Sequence, residues 1–118
     1  MKLAVIIIRP NKYAETKKAL EEERFFAMTG KEIFGRGKKP VSYTTGEDNE
    51  VDDSLHQDTM TVKQMLEIYI TDEEEEHLIN TVMKVNRTGN EGDGKIFILP
   101  CSGCTRIHTG ERDSDALM

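Results

Sequence analysis

A four-stranded antiparallel sheet carrying two helices on one face, an α+β domain of order β-α-β-β-α-β, is the fold class this sequence predicts. Three observations predict it. Short runs rich in β-branched or aromatic residues, 3–8 and 96–99, are too short for helices and are each closed by a proline, Pro10 and Pro100. Two charged segments between the runs carry apolar residues at helical spacing. The length, 118 residues, suits one domain (1–118) with one modest core.

In order, residues 3–8 form an almost unbroken apolar run, the pattern of a central strand covered on both faces. Residues 12–24 are rich in Ala, Leu, Glu and Lys; Tyr13, Thr16 and Leu20 fall on one helical face, and Asn11 is placed to cap it. A second strand is expected over 31–36, around Ile33 and Phe34. Residues 37–58 lack any apolar period and hold Glu47, Asp48, Glu50, Asp52 and Asp53, so they read as a long functional loop. The third strand covers 65–70. Asp72 then stands as the cap of a second helix, with Glu75 three residues on as its capping-box partner. Residues 73–76 put four carboxylates at the end that the helix dipole makes positive. Leu78, Ile79, Val82 and Met83 make the apolar stripe, and Arg87-Thr88-Gly89 ends the helix. After the strand at 96–99, residues 105–108 are expected as one more short strand and 111–118 as a loose polar tail. The whole is the ferredoxin-like, split βαβ pattern. Helices on one face leave the other uncovered, which predicts self-association.

Composition narrows the function. A net charge of −6 disfavours nucleic acid and anionic membranes as main partners. No run approaches the roughly 20 apolar residues of a membrane span, and the opening run is too short for a secretory signal, so a cytoplasmic protein without membrane insertion is expected. No nucleophile-base set stands out, and an enzyme is not expected. Cys101 and Cys104 form one Cys-x-x-Cys pair; a structural zinc usually takes four ligands, and His56, His77 and His108 have no ligand-like spacing. No metal site is therefore expected, and the cysteines read as ordinary thiols with a redox or metal role as the alternative.

Three segments could meet an anion. Gly89-Asn90-Glu91-Gly92-Asp93-Gly94-Lys95 joins a helix to a strand; its glycines let amide groups close around phosphate oxygens, and Lys95 adds a charge. The same residues also suit a plain tight turn. Gly35-Arg36-Gly37-Lys38-Lys39 sets cations among glycines, as a phosphate site or a solvated cluster. Arg106-Ile107-His108 would place Arg106 and His108 on one side of a strand.

Together these pieces resemble the nitrogen-regulatory PII family over nearly the whole chain. Ile6-Ile7-Ile8-Arg9-Pro10-Asn11-Lys12 looks like its opening strand and turn, and Met28-Thr29 with Gly35-Arg36-Gly37-Lys38 like the approach to its T-loop. The run from Arg87 through Lys95 to Phe97 is similar to its B-loop signature (about 87–95), and Arg106-Ile107-His108-Thr109-Gly110-Glu111-Arg112 to its C-terminal signature, in a loop of about 105–118. The resemblance implies a trimer with ATP or ADP in clefts between subunits. It implies that Gly92, Asp93, Gly94 and Lys95 hold phosphates, with Arg106 and His108 arriving from the neighbour. It implies that Ile7, Thr29, Glu67, Ile68 and Tyr69 line the base pocket, and that Gly35, Gly37 and Lys38 complete the phosphate end. The loop of about 37–63 would be the T-loop, which switches shape with ligand and touches the target.

The departures from the family pattern bear on the effectors. Lys39 stands where the family carries a glutamine for Mg²⁺ and 2-oxoglutarate, and a protonated lysine cannot ligate a cation. Lys63 matches the family's other 2-oxoglutarate lysine, so the implied effector set is Lys39, Lys63 and Gly92. His108 replaces a usual arginine, and Tyr43 is not at the place of the family's modified tyrosine. The segments Gly35 to Val41 and Val85 to Asn90 look most like the PII-like subgroup encoded with nitrogenase genes, which works as paired sister subunits and inhibits nitrogenase. The alternatives are a PII regulator of an ammonium transporter or glutamine synthetase, and a small Cys-x-x-Cys redox or metal protein.

Overall fold

The computed structural model describes residues 1–36 and 60–117. Within them the chain runs β1 (Lys2–Ile8), α1 (Tyr13–Glu22), β2 (Thr29–Gly35), β3 (Thr61–Ile70), α2 (Glu75–Asn86), β4 (Lys95–Pro100) and a single turn of helix, α3 (Ser114–Leu117). The strands form one antiparallel sheet in the order β2-β3-β1-β4. That is the expected ferredoxin-like arrangement. The central strand β1 pairs Leu3 with Tyr69 on one side and with Leu99 on the other.

Alternation along the strands divides the sheet into two faces. Ala4, Ile6, Ile8, Leu66, Ile68 and Ile70 turn inward and are at most 2% exposed. Leu20 and Phe25 near α1, and Leu78 and Val82 of α2, complete that core. Ile79 is only partly buried and Met83 is exposed, so the stripe of α2 centres on Leu78, Val82 and Asn86. Between the helices Asn86 Nδ2 donates to Thr16 Oγ1 (3.0 Å) and to the Val82 carbonyl, while Thr16 donates to the Lys12 carbonyl.

Helix ends follow local chemistry. Asn11 does not cap α1: a 3-10 turn, Pro10–Lys12, leads in from Arg9, because proline with its fixed φ favours the first helical position. The capping box before the second helix sits one residue earlier than expected. Thr71 is the cap, and Glu74 Oε1 accepts from its amide and hydroxyl, both at 2.9 Å. The first helix closes in a Schellman motif: Phe25 N–H donates to the Leu20 carbonyl and Arg24 N–H to that of Glu21. Arg24 takes φ +70°, where glycine is usual.

The C-terminal segment is neither a strand nor loose. Only Thr105 bridges, to Arg112; the chain then turns over Ile107, His108 and Thr109, and the return is held by Arg106 N–H to the Glu111 carbonyl and Asp113 N–H to the Cys104 carbonyl. Gly110 at φ +75° permits that reversal. Arg106 therefore precedes a turn that contains His108, and the two do not share one strand face. No helix among the described residues is long and apolar enough to cross a membrane.

Candidate functional site

The segment between α2 and β4 is drawn into a loop by hydrogen bonds that converge on Asp93. Its carboxylate accepts from Thr88 N–H (2.8 Å), from Thr88 Oγ1 (2.6 Å) and from the Arg9 guanidinium. Arg9 also donates to the Glu91 carbonyl at 2.7 Å, and Lys63 of β3 donates to the Gly92 carbonyl at 3.2 Å. Thr88 Oγ1 in turn accepts from Asn90 N–H. Two cations at the end of the sheet thus take two carbonyls and the carboxylate, gathering the loop against β1 and β3.

The charges follow from these contacts. The Thr88 hydroxyl and amide, and then Arg9, hold the Asp93 carboxyl well below the usual carboxylate range. Desolvation, with the Arg9 charge adding to it, pushes the Lys63 ammonium below its ordinary value. Gly94, at φ +112°, lies so close to β1 that a Cβ there would stand 1.9 Å from the Ile7 carbonyl oxygen. Only glycine allows the loop to approach the strand this closely.

The residues expected to contact a ligand are distributed unevenly. Gly92, Asp93, Gly94, Lys95 and Lys63 are together at the loop, with Ile7 beside Gly94 and paired with both Lys95 and Met65. Glu67 and Tyr69 lie on the open face of β3, and Thr29 pairs with Glu67. Lys31 reaches the Glu67 carboxylate at 3.5 Å. Ile68 is the exception: at 2% exposure its side chain is in the core, so only its backbone can face a ligand. Gly35 ends β2 opposite Thr61. Arg106 belongs to the C-terminal turn, where it bonds Glu111 and the Ala116 carbonyl, and His108 is exposed nearby. Gly37, Lys38, Lys39 and Tyr43, with most of the expected T-loop, lie outside the described residues.

A cleft of about 500 Å³ opens behind the loop, between α2 and β4, lined by Ile79, Val82, Met83 and Ile96 among others. It is on the helix side of the sheet, and of the expected base-pocket residues it holds none. Cys101 and Cys104 are free and half-buried, and no group of three or more His, Cys, Asp or Glu suited to a metal occurs among the described residues. The sequence reading missed Arg9 and Thr88 as builders of the loop. A cation at the end of the central strand, directly before proline, was the available signal for Arg9.

The four-stranded sheet with its helices on one face and the glycine-rich loop before β4 define a small ferredoxin-like α+β domain, and comparison with known proteins makes the class specific. The family model described as nitrogen regulatory protein P-II matches residues 1–111. The chain belongs to that family. It is 36% identical over 122 residues, spanning all of both chains, to the nitrogen fixation nifHD region GlnB-like protein 2 of Methanobacterium ivanovii. It is 38% identical over 121 residues to the protein of the same description from Methanococcus maripaludis, covering 99% of this chain and 100% of the relative. The nitrogen regulatory protein GlnK2 of Haloferax mediterranei is 37% identical, covering 99% of this chain and 91% of the relative. Among solved structures, Arabidopsis thaliana PII bound to citrate superposes with a TM-score of 0.76 at 28% identity, covering 98% of this chain and 88% of that one.

Proposed function

We propose that this chain is a nucleotide-responsive regulator of nitrogen metabolism whose target is nitrogenase. ATP or ADP binds at the loop between α2 and β4, and the insertion between β2 and β3 carries the response to the target. The observation that carries the reading is the state of the loop. Asp93, which would repel a phosphate, already has its charge offset by Arg9 and its oxygens bonded by Thr88, while Gly94 brings the backbone against β1 and Lys95 stands exposed beside it. Such a loop offers amide groups and a cation to a phosphate without a bare carboxylate in the way.

One subunit does not complete this site. The base-pocket residues Ile7, Glu67 and Tyr69 lie on an open sheet face, so a neighbouring copy, arranged in a trimer, supplies the second wall and brings Arg106 and His108. A sister PII-like subunit could take the neighbour's place. Lys63, held on the Gly92 carbonyl, is placed to exchange that carbonyl for a carboxylate of 2-oxoglutarate. Lys39 belongs to the same effector set, and no residue is assigned to Mg²⁺. Nitrogenase as the target rests on the full-length similarity to the nifHD-region proteins.

Calorimetric titration of the full chain with ATP and ADP, with and without 2-oxoglutarate, tests the reading. The expected result is saturable binding near one nucleotide per subunit, weakened by Lys95→Ala and by Arg106→Ala. An absence of nucleotide binding, both alone and mixed with the sister subunit, would overturn it. The target is tested by adding the nucleotide-loaded chain, with its sister, to a nitrogenase assay; inhibition relieved by 2-oxoglutarate is expected.

A further inference from the structure

We infer that Arg9 and Asp93 form a clamp that positions the phosphate-binding loop, and that neither side chain touches the phosphate itself. The inference rests on the nucleotide reading above and reassigns Asp93 from a ligand contact to an internal tie. Arg9 stands at the end of the central strand, with Pro10 after it setting the direction of the chain. From there its fork spans the loop. One nitrogen meets Asp93 and the other meets the Glu91 carbonyl, which fixes two points two residues apart. A guanidinium can do this because its donors lie in one rigid plane.

On its far side Asp93 is bonded to the amide and hydroxyl of Thr88. The carboxylate therefore joins the start of the loop to the strand that supports its end. Gly92 and Gly94, at φ +93° and +112°, flank Asp93 and would otherwise leave that segment with wide conformational freedom. The clamp removes this freedom before any ligand arrives, and pre-ordering of this kind raises affinity. Arg9 and Asp93 are each about one-quarter exposed, so water competes only in part for their bond.

Two roles for Arg9 make opposite predictions. If Arg9 met the phosphate directly, Asp93 would compete with the ligand for it, and Asp93→Asn would leave ATP affinity unchanged or raise it. If the pair is a clamp, Arg9→Ala and Asp93→Asn both lower ATP affinity, by roughly tenfold or more. The double variant is then no weaker than the worse single one, because either change already opens the clamp. Arg9→Lys restores part of the loss, since an ammonium supplies the charge without the two-point fork.

The test is calorimetry with ATP on the wild-type full chain and these four variants. Adenosine binding is followed in parallel by ligand-observed NMR, and circular dichroism checks that each variant is folded. Loss for ATP with adenosine affinity kept is the expected result. Undiminished ATP binding by Asp93→Asn, or equal loss for ATP and adenosine, would overturn the clamp while leaving the nucleotide reading in place. A wild-type chain that binds neither ligand would remove that reading, and the clamp's role with it.

Discussion

The two faces of the sheet are built from the same strands and yet differ in kind. On the inner face every central position is aliphatic and sealed, from Ala4 to Ile70. On the outer face Leu3, Val5, Ile7 and Met65 are half-buried, and Tyr69, Phe97 and Leu99 remain 42–48% exposed. Lys31, Lys63, Glu67 and Lys95 stand among them. A face meant for water would carry threonine, lysine and glutamate at most positions. A face meant only for a core would carry no lysine. This mixture suits a surface that is covered by another copy of the chain while holding a charged ligand at its margin. The inner face makes the domain, and the outer face is the one that the proposed assembly would cover.

The largest expected effect breaks the inner face. Leu66 is fully buried between the sheet and the helices, so Leu66→Ala should destabilise the domain by about 2–5 kcal/mol, the lost burial plus the cavity left behind. Urea unfolding followed by circular dichroism measures it. A loss under about 1 kcal/mol would mean that the inner face is not the core on which the fold depends.

The same operation on the outer face should read out differently. Phe97 pairs across β4 and β1 with Val5 and is 47% exposed in the single chain. Phe97→Asp puts a charge where the proposed interface lies, and burying an unpaired charge there is strongly unfavourable. Sedimentation equilibrium should therefore show the oligomer dissociating to folded monomers, with the circular dichroism spectrum kept. Monomers seen already for the wild type would leave the face without its proposed cover. An intact oligomer in the variant would place the interface elsewhere.

Much of the inner face was legible in the sequence, because β-branched runs and helical stripes follow from periodicity alone. Boundaries were harder. Thr71-x-x-Glu74 and Asp72-x-x-Glu75 are competing capping registers in one acidic run, and the hydroxyl that can both donate and accept prevails. The C-terminal segment misled for another reason. Arg106 and His108 alternate around Ile107 as in a strand, but Gly110 lets the chain reverse and pair Thr105 with Arg112. The site was legible only as a set of glycines and cations. Its organising contact joins Arg9 to Asp93, 84 positions apart, and nothing local in a single sequence marks such a pair.

The smallest expected effect sharpens the comparison by strengthening one face alone. Arg24 sits in the left-handed region at the end of α1, where a side chain is disfavoured by roughly 1 kcal/mol or more. The turn delivers Phe25 into the core beside Leu20, its partner across the Schellman motif, which offsets that strain. Arg24→Gly removes the strain but gives the unfolded chain more freedom, so the two terms partly offset. A net gain of about 0.5 kcal/mol is expected in urea unfolding. Arg24 is exposed and lies outside the loop contacts, so ATP affinity and oligomeric state should stay as they are. If stability rises alone, the inner face can be tuned independently of the outer one. If affinity or assembly moves with it, the two faces are coupled through the turn at Arg24, and the division of labour between them is weaker than their composition implies.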